Sequence, residues 1–168
     1  MIVGNGNIAS VLQGLPITEQ PDWIFFASGV SNSQETDKDE YQREKRLLLE
    51  QDETKHLVYF SSLDSLHKDS RYYEHKREME TFVKAIFNKY TIIRLGNILW
   101  DTNPHTFLNA YRLAMQEGRE FVIRDEWRYV IDKNEFLYWI DLIPADYSCE
   151  INIPGQRMKV ADIIKQYA

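Results

Sequence analysis

A tyrosine and a lysine four residues apart are the residues of this sequence best suited to acid–base chemistry. Tyr72, Lys76 and Glu80 recur at intervals of four, a spacing that places all three on one face of a helix. A free tyrosine has a pKa of about 10 and is a poor base at neutral pH. A lysine ammonium one turn away favours the tyrosinate, so the pair predicts a phenol that exchanges protons with a ligand. An ordinary surface helix with a Lys76–Glu80 pair explains the spacing equally well.

A glycine turn near the amino terminus suits the binding of phosphate groups. Gly4 and Gly6 follow a short β-branched segment, and residues 8–12 then have a helical pattern. Glycines in such a turn let main-chain N–H groups approach phosphates, and the start of the helix favours an anion. Ala9 in place of a third glycine still permits close packing of the helix on the strand. A plain tight turn explains the two glycines as well, and the pattern also fits a register that starts at Val3.

Two serines stand where a strand is predicted to end. Ser61 and Ser62 directly follow the apolar run at residues 56–60. The carboxyl ends of parallel strands face the ligand crevice, so a serine hydroxyl there can hold a substrate oxygen beside the tyrosine. Serines also end many strands by capping a turn, and for either serine taken alone this is the simpler explanation.

Short apolar runs alternate with helical patterns along the chain. The runs that predict strands lie at residues 23–27, 56–60, 90–95, 121–123, 129–131 and 151–153. The patterns that predict helices lie at residues 8–12, 35–51, 71–88, 106–116 and 160–167. Strands that alternate with helices predict an α/β fold with a parallel sheet flanked by helices. The charged stretch at residues 35–55 is interpreted as a solvated helix face.

The composition argues against several classes of function. A chain of 168 residues with 43% hydrophobic residues suits one domain with a real core. A net charge of -6 predicts no nucleic-acid partner. The single cysteine, Cys149, excludes an internal disulfide, and the four histidines lack metal-ligand spacing, so we expect no metal. No apolar run approaches the ~20 residues that span a bilayer, and no secretion signal is evident. We therefore expect a cytoplasmic protein with no membrane partner.

The order of these motifs resembles the extended short-chain dehydrogenase/reductases, and within them the NAD-dependent epimerase/dehydratase family that acts on nucleotide sugars. The specific part is Tyr-x-x-x-Lys-x-x-x-Glu at residues 72–80, followed by Arg-x-x-Asn from Arg94 to Asn97. The glycine turn, the Ala-Ser-Gly at residues 27–29 and the serine pair precede it in the family's order. Similar segments continue as far as residue 164.

The resemblance implies a Rossmann-like parallel sheet flanked by helices, in a minimal version. Too few residues separate the first helix from the strand at residue 23 for the elements that the family uses to bind the adenosine half of its cofactor. Residues 1–168 would form a single reduced domain, in which residues 100–168 include remnants of the substrate-binding region. The implied cofactor is NAD or NADP, bound weakly or with the help of another chain.

The resemblance also assigns roles to individual residues. Ser62 would orient the substrate oxygen, Tyr72 would be the acid/base, and Lys76 would bind the nicotinamide ribose and lower the pKa of Tyr72. The implied cofactor-binding residues are Gly4, Gly6, Asn7, Ile8, Ala27, Ser28, Lys76 and Asn97. The implied substrate-binding residues are Ser61, Asn97 and Arg128. Of these, Arg128 would contact a substrate diphosphate, and Asn97 either the nicotinamide or the substrate phosphates.

Two functions follow from the sequence. The first is an NAD(P)-dependent epimerase, dehydratase or reductase acting on a nucleotide sugar, which the joint presence of Ser62, Tyr72, Lys76 and Asn97 favours. The alternative is a catalytically inactive relative that serves as a binding or assembly subunit, which the missing adenosine-binding elements favour. The resemblance further implies a homodimer through the helices near residues 40–51 and 71–88, although their apolar edges fit packing on the chain's own sheet equally well.

Overall fold

The computed structural model describes residues 1–104 and 106–168. The strands are β1 (Ile2–Val3), β2 (Trp23–Phe26), β3 (His56–Ser62), β4 (Lys89–Leu95), β5 (Asn97–Ile98), β6 (Trp127–Ile131), β7 (Cys149–Ile153) and β8 (Gln156–Lys159). The helices are α1 (Asn7–Leu12), α2 (Lys38–Leu49), α3 (Arg71–Ile86), α4 (Phe107–Gln116), α5 (Lys133–Asp141) and α6 (Val160–Tyr167). Short 3-10 helices span Pro16–Glu19 and Leu63–Leu66.

Five of the strands form one parallel sheet in the order β1-β2-β3-β4-β7. Its register pairs Phe26 with Tyr59, and Tyr59 with Ile92. Every residue of β2 is buried, as expected for a parallel strand that is covered on both faces. This arrangement confirms the predicted α/β class, a parallel sheet flanked by helices.

Two apolar layers cover the two faces of this sheet. Phe25 packs with Leu12 of α1 and with α5 on one face. Phe26 packs with Leu48 of α2 and Met79 of α3 on the other face. Neighbouring strand residues alternate between the layers because successive side chains of a strand point to opposite faces. As a result α1 lies on the opposite side of the sheet from α2 and α3.

A second, three-stranded sheet has the order β5-β6-β8, and β7 of the main sheet lies between its strands β6 and β8 in the chain. β5 and β6 are parallel, whereas β6 and β8 are antiparallel. Its apolar cluster joins Val130 of β6 to Leu108 of α4 and Ile163 of α6. The sheet positions Asn97 and Arg128, which are two of the predicted site residues.

The predicted strand at residues 121–123 is wrong. These residues form no strand, and the next strand begins only at Trp127. Val122 has 82% of its surface exposed, so this apolar run is not a buried strand. The long predicted helix at residues 35–51 begins later, at Lys38, because the Asp37 side chain caps it by accepting the Asp39 N–H.

Candidate functional site

A cavity of about 490 Å³ lies at the carboxyl ends of β2, β3 and β4, and residues of β5 and β6 in the second sheet also line it. A cavity of this size is in the range that small ligands occupy. Eleven of the predicted site residues line it, namely Gly6, Asn7, Ile8, Ala27, Ser28, Ser61, Ser62, Tyr72, Lys76, Asn97 and Arg128. The structure therefore brings together residues that the sequence spreads over seven separate elements and loops.

The two glycines of the opening turn differ in what surrounds them. Gly4 has a φ of +123°, and a Cβ at this position would lie 2.5 Å from the carbonyl oxygen of Ala27. Glycine is required there because the turn packs directly on the backbone that follows β2. Gly4 is not one of the residues that line the cavity, so its need for glycine comes from packing within the chain. At Gly6 a Cβ would meet no atom within 4 Å.

The two serines at the end of β3 also differ. The Ser61 hydroxyl donates to Glu80 Oε1 at 2.6 Å, and Arg94 Nε donates to the same oxygen at 2.9 Å. The Ser61 hydroxyl is therefore already hydrogen-bonded to the buried ion pair of Glu80 and Arg94. The Ser62 hydroxyl makes no hydrogen bond within the described part of the chain, and the residue lines the cavity. Of the two, Ser62 has the hydroxyl that can hold a ligand oxygen.

Tyr72 lies in the first turn of α3, where the Ser70 side chain caps the helix by accepting the Tyr73 N–H. Its side chain is only 8% exposed, and its hydroxyl bonds to none of the described residues. Burial, and then the negative charge of Glu44, raise the pKa of Tyr72 well above the ordinary value of 10.0. The predicted lowering by Lys76 is wrong for this structure, because burial and the Glu44 charge raise the pKa of Tyr72 instead. The phenol keeps its proton at neutral pH.

Lys76 lies one turn from Tyr72, with Nζ 5.7 Å from the centre of the tyrosine ring. The prediction that both share one helix face is thus confirmed. Lys76 Nζ donates to Glu44 Oε1 at 3.3 Å and to the Tyr59 hydroxyl at 3.4 Å. Glu44 is fully buried, so the interpretation of residues 35–55 as a solvated face is wrong at this residue. Sequence reasoning missed Glu44 because its neighbours in α2 are mostly charged.

The second sheet contributes an amide and a guanidinium. Asn97 Nδ2 donates to the carbonyl oxygen of Tyr129 at 2.9 Å. Arg128 Nη2 donates to Glu126 Oε1 at 2.8 Å, and the guanidinium lies 4.8 Å from the centre of the Phe107 ring. The buried Arg128 Nε has no hydrogen-bond partner among the described residues. Arg128 therefore brings positive charge to the cavity wall opposite α3.

The carboxylate of Asp101, which the sequence did not indicate as a site residue, lies beside the start of α1. Asp101 Oδ1 accepts the Asn7 side-chain amide at 2.5 Å and the Asn103 N–H at 2.7 Å. Asp101 lines the cavity together with Gly6. Its burial raises the pKa of its carboxyl group above the ordinary value. An anion here offsets part of the positive potential that the amino end of a helix offers to a phosphate.

Residues 1–104 and 106–168 contain neither a cluster of metal-ligating side chains nor a membrane-spanning helix. In those ranges no three His, Cys, Asp or Glu side chains are placed to hold a metal ion. No helix in them is long and apolar enough to cross a membrane. His105 lies outside the described residues.

No protein-family model matches this sequence, and no curated protein matches it. Solved structures do match. The Bordetella bronchiseptica enzyme WbmG, in complex with NAD and UDP, matches with a TM-score of 0.65 and 13% identity, over 86% of this chain and 54% of that one. UDP-glucuronic acid 4-epimerase from Bacillus cereus matches with a TM-score of 0.65 and 14% identity, over 97% and 62%. UDP-N-acetylglucosamine 4-epimerase from Methanobrevibacter ruminantium matches with a TM-score of 0.61 and 15% identity, over 86% and 58%.

This chain has a Rossmann-like fold. It spans less than two thirds of the length of these solved structures. In a complete Rossmann fold, strands flank the first strand on both sides, in the order 3-2-1-4-5-6. Here β1 is the edge of the sheet, and the described chain has no strand beyond it. This confirms the predicted minimal version of the fold, which lacks part of the adenosine-binding half.

Proposed function

We propose that this chain binds NAD or NADP and a nucleotide sugar in the cavity and acts as an epimerase, dehydratase or reductase. The observation that carries the proposal is the meeting of two unbonded hydroxyls, of Ser62 and Tyr72, with the Lys76 ammonium at one cavity. The fold shared with an epimerase that was crystallised with NAD supports the same class of reaction.

The nicotinamide side of a dinucleotide fits the residues present better than the adenosine side. Gly6, Lys76 and Asn97 all line the cavity, and a Cβ at Gly6 would meet no atom within 4 Å. No strand beyond β1 supports an adenosine group in the described chain. We therefore propose that the cofactor is bound weakly. When bound, a nicotinamide supplies the exchange of a hydride with a sugar carbon.

Two side chains would handle the substrate oxygen. The Ser62 hydroxyl donates a hydrogen bond that orients it, and the Tyr72 phenol gives it a proton as the carbon is reduced. Because the raised pKa keeps Tyr72 protonated at neutral pH, the phenol is suited to act as the acid in the step in which a sugar carbonyl is reduced. Water then returns a proton to the phenolate that remains.

Replacement of Tyr72 by phenylalanine tests the catalytic role. We expect Tyr72→Phe to lower turnover of a UDP-sugar by roughly 100-fold or more, since general acid–base catalysis contributes about that much. Turnover is followed by NMR of the sugar anomeric proton, and folding by circular dichroism. Tyr138→Phe, which removes an exposed phenol from α5, is the matched control and should be as active as the wild type. An unchanged rate in Tyr72→Phe would end the catalytic assignment.

The second candidate function is a binding or assembly subunit without turnover. The Glu44–Lys76 ion pair favours it, because the lysine charge is already compensated within the chain. A protein that binds UDP-sugars but shows no turnover with either NAD or NADP would select this candidate.

The predicted homodimer through α2 and α3 stays a prediction. Of the large apolar side chains that are clearly exposed, Leu49 alone lies on these two helices in the described chain. The apolar edges of both helices face the chain's own sheet, through Leu48 and Met79. Any contact between two copies here would therefore be mostly polar.

A further inference from the structure

One buried carboxylate joins α2 to α3, β3 and the loop after β2. Glu44 Oε2 accepts the Val30 N–H at 2.7 Å and lies 2.9 Å from His75 Nε2. Its Oε1 accepts the Tyr59 hydroxyl at 2.8 Å and the Lys76 ammonium at 3.3 Å. A carboxylate only accepts hydrogen bonds, so His75 Nε2 carries its proton here. Four donors therefore converge on one side chain.

Glu44 is ionised in spite of its burial. Burial alone would raise the pKa of Glu44, but the Lys76 charge and then the His75 hydrogen bond outweigh it and lower the pKa to about 2. A buried carboxylate without a partner is strongly unfavourable, so the lysine is its necessary counter-ion. The centre of the Tyr72 ring lies 5.7 Å from Lys76 Nζ, and after burial the Glu44 charge is the main cause of the raised pKa of Tyr72.

The loop after β2 leaves room for the Glu44–Lys76 ion pair because residue 29 is a glycine. A Cβ at Gly29 would lie 2.6 Å from Lys76 Nζ and 3.0 Å from Glu44 Oε1. Gly29 and Val30 also line the cavity. The ion pair therefore lies directly behind this part of the wall, and a movement of Lys76 would change the wall.

One N–H of the Lys76 ammonium has no acceptor among the described residues. An ammonium has three N–H donors, and two of these have acceptors in Glu44 and the Tyr59 hydroxyl. The described residues offer the ammonium no third acceptor. Lys76 lines the cavity, so the remaining N–H can bind a hydroxyl or phosphate oxygen of a ligand there.

We propose that Glu44 is a positioning residue, which holds the Lys76 ammonium at the cavity wall with one N–H left for a ligand. Glu44 acts through Lys76 and does not touch the ligand. The use of that N–H by a cofactor rests on the proposed function, whereas the hold of Glu44 on Lys76 does not. In Glu44→Gln the size is kept and the charge is lost, so the lysine has no counter-ion and can turn into the cavity.

Acetylation of Lys76 measures this hold without any ligand or activity. The full chain, as wild type and as Glu44→Gln, is treated with an N-hydroxysuccinimide ester of acetic acid, and initial rates are read by mass spectrometry. The rate at the exposed Lys165 of α6 is the internal reference. Because a buried lysine without a counter-ion favours the reactive neutral amine, we expect the Lys76/Lys165 ratio to rise about tenfold in Glu44→Gln. An unchanged ratio overturns the proposal.

Two further variants complete the test. Glu50→Gln removes an exposed carboxylate at the end of the same helix and should leave the ratio unchanged. Tyr59→Phe removes the hydroxyl that both Glu44 and Lys76 bind, and keeps the charge. If circular dichroism shows that Glu44→Gln does not fold, the Lys76/Lys165 acetylation ratio of Tyr59→Phe tests the proposal in its place. An increase of roughly threefold in the ratio supports the proposal, since one of two hydrogen bonds of Lys76 is lost, and no increase overturns it.

NADH binding then separates this proposal from the proposed function. Where the wild type binds NADH, Glu44→Gln should weaken binding, and it should have no further effect in a Lys76→Met background. An equal loss in that background would mean that Glu44 does not act through Lys76. A wild type that does not bind NADH would count against the proposed function alone, since the acetylation result does not depend on it.

Discussion

At the scale of single residues, the spacing of Tyr72 and Lys76 predicts their contact but not their chemistry. The contact depends only on helix geometry, and the structure has it. The raised pKa of Tyr72 depends on burial and on Glu44, which lies 32 residues before Lys76 in the chain. Nothing in the charged pattern around Glu44 marks it as buried, so this partner could not be predicted. The choice of Ser62 over Ser61 also needed the structure, which shows Glu80 holding the Ser61 hydroxyl.

Because Glu44 forms a buried ion pair with Lys76, the free energy of unfolding of the protein should depend on pH in the acid range. The pKa of Glu44 falls from 4.5 to about 2 on folding, so its ionised form stabilises the fold above pH 4.5. This contribution, on the order of 3 kcal/mol, is lost as the pH falls from about 4.5 to about 2. We expect the difference in free energy of unfolding between wild type and Glu44→Gln to shrink over that interval. Urea denaturation at several pH values measures it.

The control for this pH effect is Glu120→Gln, at an exposed position before β6. Its difference from the wild type should stay constant over the same interval. A constant difference for Glu44→Gln as well would contradict the buried ion pair.

At the scale of elements, the sequence predicts best the strands that are buried on both faces. β2, β3 and β4 are mostly buried, and each lies within two residues of its predicted position. β8 has the polar sequence Gln-Arg-Met-Lys and forms only because β6 pairs with it, so a local pattern cannot indicate it. The run at residues 121–123 has strand propensity but no partner strand in the described structure, and it stays irregular.

The opening turn offers a contrast between two glycines. We expect Gly4→Ala to destabilise the protein by about 2 kcal/mol or more, because it combines a left-handed φ with a clash against backbone. Gly6→Ala should cost less than about 1 kcal/mol, since Gly6 has an ordinary φ of -80° and open space around it. Urea denaturation measures both values.

The effect of Gly6→Ala on ligand binding is a second prediction for the opening turn. Gly6→Ala adds a methyl group at the cavity wall and should weaken NADH binding although the protein remains folded. Equal losses of stability in Gly4→Ala and Gly6→Ala would contradict the different roles that the structure gives the two glycines.

At the scale of the whole molecule, the side of the sheet on which α1 lies is informative. The connections through α1, α2 and α3 step in the same direction across the sheet, yet α1 lies on the opposite face. Since about 98% of such connections are right-handed, the one through α1 has the unusual hand. A helix on this face would make a right-handed connection to a strand on the other side of β1, where a complete Rossmann fold has its second and third strands. The sequence indicates that these strands are missing. Only the structure shows that α1 still lies on the face of the sheet that a connection to them would use.

Titration of the full chain with NADH, followed by nicotinamide fluorescence, tests most directly whether the cavity is a cofactor site. We predict a saturable increase in emission with a dissociation constant in the micromolar-to-millimolar range, because the adenosine-binding strands are absent. The increase should be reduced in Gly6→Ala and unchanged in Tyr138→Phe. No saturable change in the wild type at millimolar NADH would contradict the proposed function.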